Sequence, residues 1–600
     1  IDSGLDVDFT ISGRVAAQQS FILPMYGYSF TDTTTIDSNP DDGFGNRVRH
    51  GTIVSSTVLQ NSDTAVIVNA KVIDSEGSAT SRGIIAAIHW AISQNCSVIN
   101  LSLGSTPSLG DPIEQAIEDA FSQGVIVVAA AGNEGEAGTT GTSISSPSVY
   151  TKAIAVGALD EDDMPADYTS YGPTAGRYMK PDICAEGFAE TSTAIYFGTS
   201  FASPRVAGYV ADIISHCISN NIEYTPGSIT AALLSGAESL PYSPYIIGAG
   251  KADVNGAIEV IDGAPYNSGL PLITYVHPES LPLDFETIFS GDNYTFNAQI
   301  ITSGVATYDL QTSGPNAGII DTPSSVTLNQ TGLVPISISV PDGQTGLLQG
   351  NVFFDAGLHN DSLEISFTAS ASSAKIAFDI SHTPWDIDTV YGQFKELYLA
   401  LVDSDISVTE IRDPSKLTSD YLANFDGIFV LDPCSWDIDE THPASPIEYS
   451  IEYTLDEIEA YKEYYFSGGG IFIAALDNSS LNINQANEFL SWTGISLNGD
   501  RIAGVTGPVL VDNIATHSIT TGINDFDFLG ASLSFNASAQ SLASYLGHSI
   551  LVAMEGVSSG RIVVTGTNFF LDNWGIRGLY GSSMNDVLAL KIALWITGTL

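Results

Sequence analysis

Six hundred residues exceed what one hydrophobic core organises, so about three domains are expected. A composition 44% hydrophobic and 10% aromatic is that of a folded chain and excludes a disordered one. The net charge of −50, from 19 basic against 69 acidic residues, reflects scarce Lys and Arg more than added acid, and it argues against nucleic acid or an anionic membrane surface as partner. The balance is compatible with a salt-adapted source without requiring one.

The four cysteines, Cys96, Cys184, Cys217 and Cys434, are far apart and form no C-x-x-C. That excludes a disulfide scaffold and a zinc site, and buried free thiols are expected. The sequence holds no leader and no span of about 20 apolar residues. It opens on Ile1-Asp2-Ser3-Gly4, which reads as the end of a strand. A propeptide or membrane anchor would lie outside this fragment.

Residues 1–262 alternate strand-like and helix-like segments, the pattern of an α/β unit with a parallel sheet. Strands are predicted over 65–72, 97–103, 124–131 and 153–158. Helices are predicted over 81–94, 112–123, 205–217, 228–236 and 255–261. Residues 263–372 lose helical periodicity. Short alternating runs at 294–301, 334–340, 351–356 and 362–368, separated by Gly/Pro turns, read as an antiparallel β-sandwich. Over 373–600 the α/β rhythm returns, with strands at 375–380, 427–431, 471–476, 550–553 and 561–565. Helices there fall at 389–402, 455–466 and 585–596, and residues 435–452 read as a long loop. This reads as a separate doubly wound, flavodoxin-like domain.

One stretch stands out: Gly198-Thr199-Ser200-Phe201-Ala202-Ser203-Pro204, between an apolar run and a helical pattern. A serine at a helix start sits where backbone N–H groups are unpaired, which suits a nucleophile and the charge developing beside it. Alone, it reads as an N-cap. Three other segments carry complementary chemistry. His50, in Arg49-His50-Gly51-Thr52, could act as base; Asp2, at a strand end, could orient it; Asn133, ending the buried run Ala129-Ala130-Ala131-Gly132, could donate to an oxyanion. Each alone has a bland alternative: a surface or core histidine, a turn aspartate, a turn asparagine.

Together they occur in the order Asp, His, Asn, Ser, each at a strand end or helix start. The segments IDSG (1–4), RHGT (49–52), INLSLGS (99–105), AAAGNEG (129–135) and GTSFASPRVAG (198–208) resemble the subtilases, the subtilisin-like serine proteases. The resemblance implies a serine endopeptidase with a subtilisin-like catalytic domain. It makes Ser200 the nucleophile, His50 the general base and acid, Asp2 its orienting carboxylate, and Asn133 with the Ser200 N–H the oxyanion hole. Ser102, Leu103 and Gly104 would pair as a strand with the substrate backbone, and Ala130, Ala131 and Gly132 would line the primary specificity pocket. Glu134 and residues 143–146 would border it. The partner implied is an extended peptide or protein, and the location is extracellular, the cell envelope or a secretory compartment. The chemistry requires no cofactor. Many subtilisins place a calcium loop where residues 60–65 lie, but this segment is too short for it, so a structural calcium has no identified site.

The order subtilase, β-domain, glutamine-amidotransferase-like domain resembles the site-1 protease branch of the family. Residues 172–182 and 560–571 resemble its segments, the latter also the closing unit of amidotransferase-like domains in envelope proteins. The elbow cysteine of amidotransferases has no counterpart here: the strand at 471–476 ends in Asp477-Asn478-Ser479-Ser480, and Cys434 lacks flanking glycines. The third domain therefore reads as a binding or spacing module. N-x-S/T triplets at Asn100, Asn293, Asn329, Asn360, Asn478 and Asn536 suggest an external protein weakly. Two alternatives stay open: a non-catalytic envelope or adhesion protein on a subtilase scaffold, and a glutamine-dependent enzyme in the last domain.

Overall fold

The computed structural model describes residues 1–6, 12–22, 41–42, 49–74, 77–107, 110–135, 144–383, 392–439, 447–503 and 507–600. Six parallel strands organise the first region: β1 (Val15–Ser20), β2 (Ile67–Lys71), β3 (Val98–Leu101), β4 (Ile126–Ala130), β5 (Ala153–Leu159) and β6 (Ile183–Glu186). β1 pairs with β2, and β3 to β6 pair in sequence order. Residues 1 and 2 lie between the two sets. Asp2 N–H donates to Ala70 O at 3.0 Å, and Ile1 N donates to Asn100 O at 2.9 Å.

Helices α1 (His50–Gln60), α2 (Ser81–Ser93), α3 (Pro112–Ser122) and α4 (Thr199–Ser219) cover the sheet. Every residue of β4 is buried, which is why the run reads as uninterrupted apolar sequence. Ile126 and Val128 face one core with Val206, Val210 and Ile213 of α4; Val127 and Ala129 face the other with Ile88 and Ile117. Thr80 and Asp111 cap α2 and α3 by accepting from Gly83 N and Ile113 N.

α4 differs from expectation: it starts at Thr199 rather than at 205. Pro204 does not delay it. A proline has no N–H, so the carbonyl four residues earlier, Ser200 O, loses its helical partner. The Ser102 hydroxyl replaces that donor at 2.8 Å. Ser200 thus sits in the first turn of a 21-residue helix.

The middle region is antiparallel. Its expected runs are parts of longer strands, Asn293–Ser313, Ser325–Ser339, Gly346–Asp355 and Asn360–Ala369. These belong to one seven-stranded ladder. Asn293–Ser313 pairs with Ser325–Ser339 along most of its length and with Gly346–Asp355 at its end, so the ladder is continuous. Phe296, Ala298, Ile300, Val334, Ile336 and Val352 share its core.

The C-terminal region carries a nine-stranded sheet. Five of its strands are parallel, in the spatial order Ile406–Ile411, Ala374–Asp379, Gly427–Leu431, Gly470–Ala474, Arg561–Thr565. In chain order that is second, first, third, fourth, fifth. Phe378, Phe429 and Phe472 face one core; Ala377, Val430 and Ile473 face the other. The helix expected over 389–402 begins at Lys395, with 389–391 outside the described residues. The segment 435–452 holds a hairpin, Asp437–Asp439 with Ile447–Tyr449, instead of being loop throughout, and 440–446 lie outside the described residues. All four cysteines are free. Among the described residues no helix is long and apolar enough to cross a membrane.

Candidate active site

The four candidate groups meet at the carboxyl edge of the first sheet, where α/β sheets collect functional side chains. His50 opens α1, and its Nδ1 lies 2.7 Å from Asp2 Oδ1. A carboxylate only accepts, so Nδ1 carries the proton and Nε2 is left free as a base. Gly51 is required here, because a Cβ would come within 2.2 Å of Gly4 O. Asp2 is 4% exposed. Its Oδ1 also accepts from Ser3 N at 2.7 Å, and Oδ2 has no partner among the described residues. Burial pushes His50 down, but the Asp2 charge, the Asp2 hydrogen bond and the more distant Asp42 charge outweigh it, and its pKa stands above the ordinary 6.5.

The Ser200 hydroxyl donates to Ser102 O at 3.4 Å. Among the described residues it makes no hydrogen bond to His50; such contacts often tighten only when substrate binds. Asn133 is exposed, and its amide orientation is set by Thr199: Oδ1 accepts from Thr199 N at 2.8 Å and from Thr199 Oγ1 at 3.0 Å. That leaves Nδ2 as a free donor. A Cβ at Gly198, where φ is +151°, would lie 3.5 Å from Asn133 Nδ2 and 3.7 Å from Ser200 N, so both donors flank one turn. The turn is further held by Gly132 N–H donating to Thr199 Oγ1 at 3.2 Å. Phe201 follows the serine, buried, with its ring centroid 5.7 Å from that of His50.

A family model described as the subtilase family matches residues 1–251. Subtilisin of Bacillus pumilus is 36% identical over 234 residues, which cover 36% of this chain and 75% of that protein. The chain belongs to the subtilase family. Subtilisin NAT of Bacillus subtilis subsp. natto is 37% identical over 234 residues, covering 36% of this chain and 54% of that relative, so the chain spans about half its length. Among solved structures, tripeptidyl peptidase 2 aligns at 23% identity with a TM-score of 0.39, covering 53% of this chain and 29% of that one.

The subtilase domain treats the expected subsite residues unequally. Leu103 is half-buried and Gly104 exposed just past the end of β3. Ser102 is buried and serves the helix: besides Ser200 O, it meets Ser203 Oγ at 3.0 Å and accepts from Asn100 Nδ2 at 3.0 Å. Ala130 and Ala131, expected to line a pocket, lie in the core, with Ala131 O accepting from Ser145 N at 2.8 Å. They sit at the end of an all-buried strand, so of the three only Gly132 keeps some exposure. Glu134 is exposed beside it; Ser143 lies outside the described residues.

Two supporting residues escape sequence reading. Asp42 is buried and caps α1 from eight residues upstream of His50: Oδ2 accepts from Thr52 N and Thr52 Oγ1, both at 2.9 Å. Its Oδ1 accepts from Ser3 Oγ at 2.8 Å, and Ser3 Oγ accepts from Gly51 N at 2.9 Å. One carboxylate thereby ties the Asp2 segment to the His50 helix, and burial raises its pKa. The only signal was Asp41-Asp42-Gly43, a turn pattern. Arg14 is the second. Its guanidinium donates to Leu59 O at 3.2 Å, Ser62 O at 2.7 Å and Ala65 O at 2.7 and 2.9 Å, gathering the carbonyls at the C-terminal end of α1. A divalent ion in that turn would need the same carbonyls and would meet a fixed positive charge, so the donor set does not fit calcium.

Proposed function

We propose that the subtilase domain is a serine endopeptidase acting on extended peptide segments of proteins. The observation that carries this reading is the His50 Nδ1–Asp2 Oδ1 hydrogen bond of 2.7 Å, on the same sheet edge that presents Ser200 and the Asn133 amide. Ser200 Oγ attacks the scissile carbonyl while His50 Nε2 accepts its proton. Asp2 stabilises the imidazolium. Negative charge on the tetrahedral oxygen falls between Asn133 Nδ2 and Ser200 N–H, at the positive end of α4. His50 then returns the proton to the leaving amine, and water repeats the sequence on the acyl-enzyme.

Leu103 and Gly104 support backbone pairing with substrate, and Gly132 with Glu134 supports a pocket wall. The turn at 60–65 needs no calcium, because Arg14 holds it. We read the middle region as a sandwich whose two layers share the long strand Asn293–Ser313, which pairs with Ser325–Ser339 and then with Gly346–Asp355, and the C-terminal region as a non-catalytic, flavodoxin-like module. Its 2-1-3-4-5 strand order supports the fold reading. Cys434, fully buried with its thiol pushed up to about 12 by burial, supports the absence of thiol chemistry. The exposed Asn residues of the N-x-S/T triplets at 293, 329, 360, 478 and 536 support an extracellular, envelope or secretory location.

The decisive experiment is labelling of the intact protein by a fluorophosphonate. Labelling is expected in the wild type and abolished in Ser200→Ala, with hydrolysis falling by ~10⁴-fold or more. A folded wild-type protein that is never labelled would leave a non-catalytic scaffold as the reading.

A further inference from the structure

Outside the site, a buried cation joins all three regions. Lys395 opens the helix Lys395–Val402 of the C-terminal region and is 4% exposed. Its ammonium lies 5.3 Å from the ring centroid of Tyr171, 4.7 Å from that of Tyr245 and 4.6 Å from that of Phe285. Tyr171 and Tyr245 belong to the subtilase domain, and Phe285 to the antiparallel region. The rings also pack on one another, with centroids 5.8 Å apart for Tyr171 and Tyr245 and 4.9 Å for Tyr245 and Phe285. A desolvated cation among three aromatic rings is held by their quadrupoles, which an apolar chain of equal volume does not replace. A second grip lies close by in sequence. The buried Glu410 carboxylate takes Arg177 of the subtilase domain at 2.9 Å and Arg412 at 2.7 Å.

Both grips land on the segment from Tyr171 to Arg177, and that segment continues into the wall beside Asn133. Ser170 N–H donates to Gly132 O at 3.0 Å, and Glu134 N–H donates to Ser170 Oγ at 3.2 Å. Gly135 N–H donates to Tyr168 O at 2.9 Å, while Gly172 N–H donates to Tyr245 O at 3.0 Å. Ser170 therefore fixes the residues flanking the oxyanion donor, and its neighbour Tyr171 fixes the cage.

We propose that Lys395 is a positioning residue for the substrate pocket: through Tyr171 and Tyr245, the C-terminal region holds residues 168–172 against residues 132–135. The kinetic consequence rests on the peptidase reading; the structural one does not.

The test uses the full chain as wild type, Lys395→Met and Lys395→Arg. It combines hydrogen exchange followed by mass spectrometry with hydrolysis of peptides varied at the residue before the cleaved bond. In Lys395→Met, amides of Glu134, Gly135 and Ser170 should exchange about tenfold faster, with those of Gly470–Ala474 unchanged. KM should rise several-fold with kcat held within about twofold, and the preference among peptides should broaden. Lys395→Arg, which keeps the cation, should restore both readouts. Unchanged pocket exchange and KM in a folded Lys395→Met overturn the proposal, as does loosening confined to the C-terminal sheet. If the wild type neither hydrolyses nor labels, the peptidase reading fails while exchange still judges the clamp. If Lys395→Met does not fold, Glu410→Gln, which weakens the other grip, carries the same expectations.

Discussion

Two parallel sheets in this chain end in polar loops, and the loops are used differently. At the edge of the subtilase sheet, Asn133 spends its carbonyl on Thr199 and keeps its amide free. His50 spends Nδ1 on Asp2 and keeps Nε2. At the edge of the C-terminal sheet the polar groups consume one another. Asp379 accepts from Ser381, from Tyr453 at 3.0 Å and from Tyr461 at 2.6 Å. Asp432 takes Asn568 Nδ2 on both oxygens, at 2.9 and 3.0 Å. Asp379, Asp432, His382 and Cys434 are all buried. Strand ends collect polar residues in both sheets, but a reactive edge needs donors and a base left unspent toward solvent.

The largest test of this contrast is Asn133→Ala, which should lower kcat by ~10²–10³-fold in steady-state assays. Cys434→Ser at the other edge should leave hydrolysis unchanged; equal losses from both would erase the contrast.

Next is Asp432→Asn. Burial raises the Asp432 carboxyl to about 7, and Asp572 nearby likewise stands at about 7. A carboxyl whose folded pKa lies above its unfolded value favours the native state while protonated. That stability is fully present below the unfolded pKa of about 3.9 and is lost as pH rises toward 7. The asparagine side chain in this variant would keep one of the two contacts with Asn568 through its oxygen, tolerates the φ of +49°, and cannot ionise. The variant should therefore exceed wild type in Tm by several degrees at pH 8, a gain that shrinks by pH 5. Calorimetry at the two pH values measures it, and a variant less stable at pH 8 would refute the buried-carboxyl account.

A smaller effect is expected at the far end of α1. Arg14→Gln removes most of the bonds to three carbonyls and should cost ~1–3 kcal/mol in denaturant titrations. Excess EDTA should leave the wild-type midpoint in place. A midpoint lowered by EDTA and restored by calcium would mean that the turn does hold an ion.

The smallest is Asp42→Asn. An asparagine oxygen can still accept from Thr52, so the cap survives while a charge near His50 is lost. His50 should then titrate lower, keeping its base neutral to lower pH. The acid limb of kcat/KM should shift down by about half a unit. A shift upward would contradict the assigned electrostatics.

Much of the fold was legible because it is written in local periodicity. The uninterrupted run of β4 reads as a strand buried on both faces, and the helix Leu455–Phe466 is announced by its capping box, Thr454 with Glu457. The start of α4 was misjudged for a local reason too. Pro204 looks like a boundary until Ser102, about a hundred residues away in the chain, supplies the donor that proline lacks. That Ala130 and Ala131 are buried, with Ala131 O accepting from Ser145 N, was not legible, because period and composition do not say which backbone groups the core consumes.

The sequence by itself determined which chemical groups stand at strand ends and helix starts, and in what order: Asp2, His50, Asn133, Ser200. Side-chain type and neighbours within a turn suffice for that. Only the tertiary structure decided which of those groups remain free and which supports hold them: Asp42 across to Ser3, Arg14 onto the end of α1, Lys395 among rings from two other regions. Those partners lie tens to hundreds of residues apart, and what brings them together is burial, which makes an unpaired enclosed charge or donor costly and so favours a mate wherever the packed chain offers one.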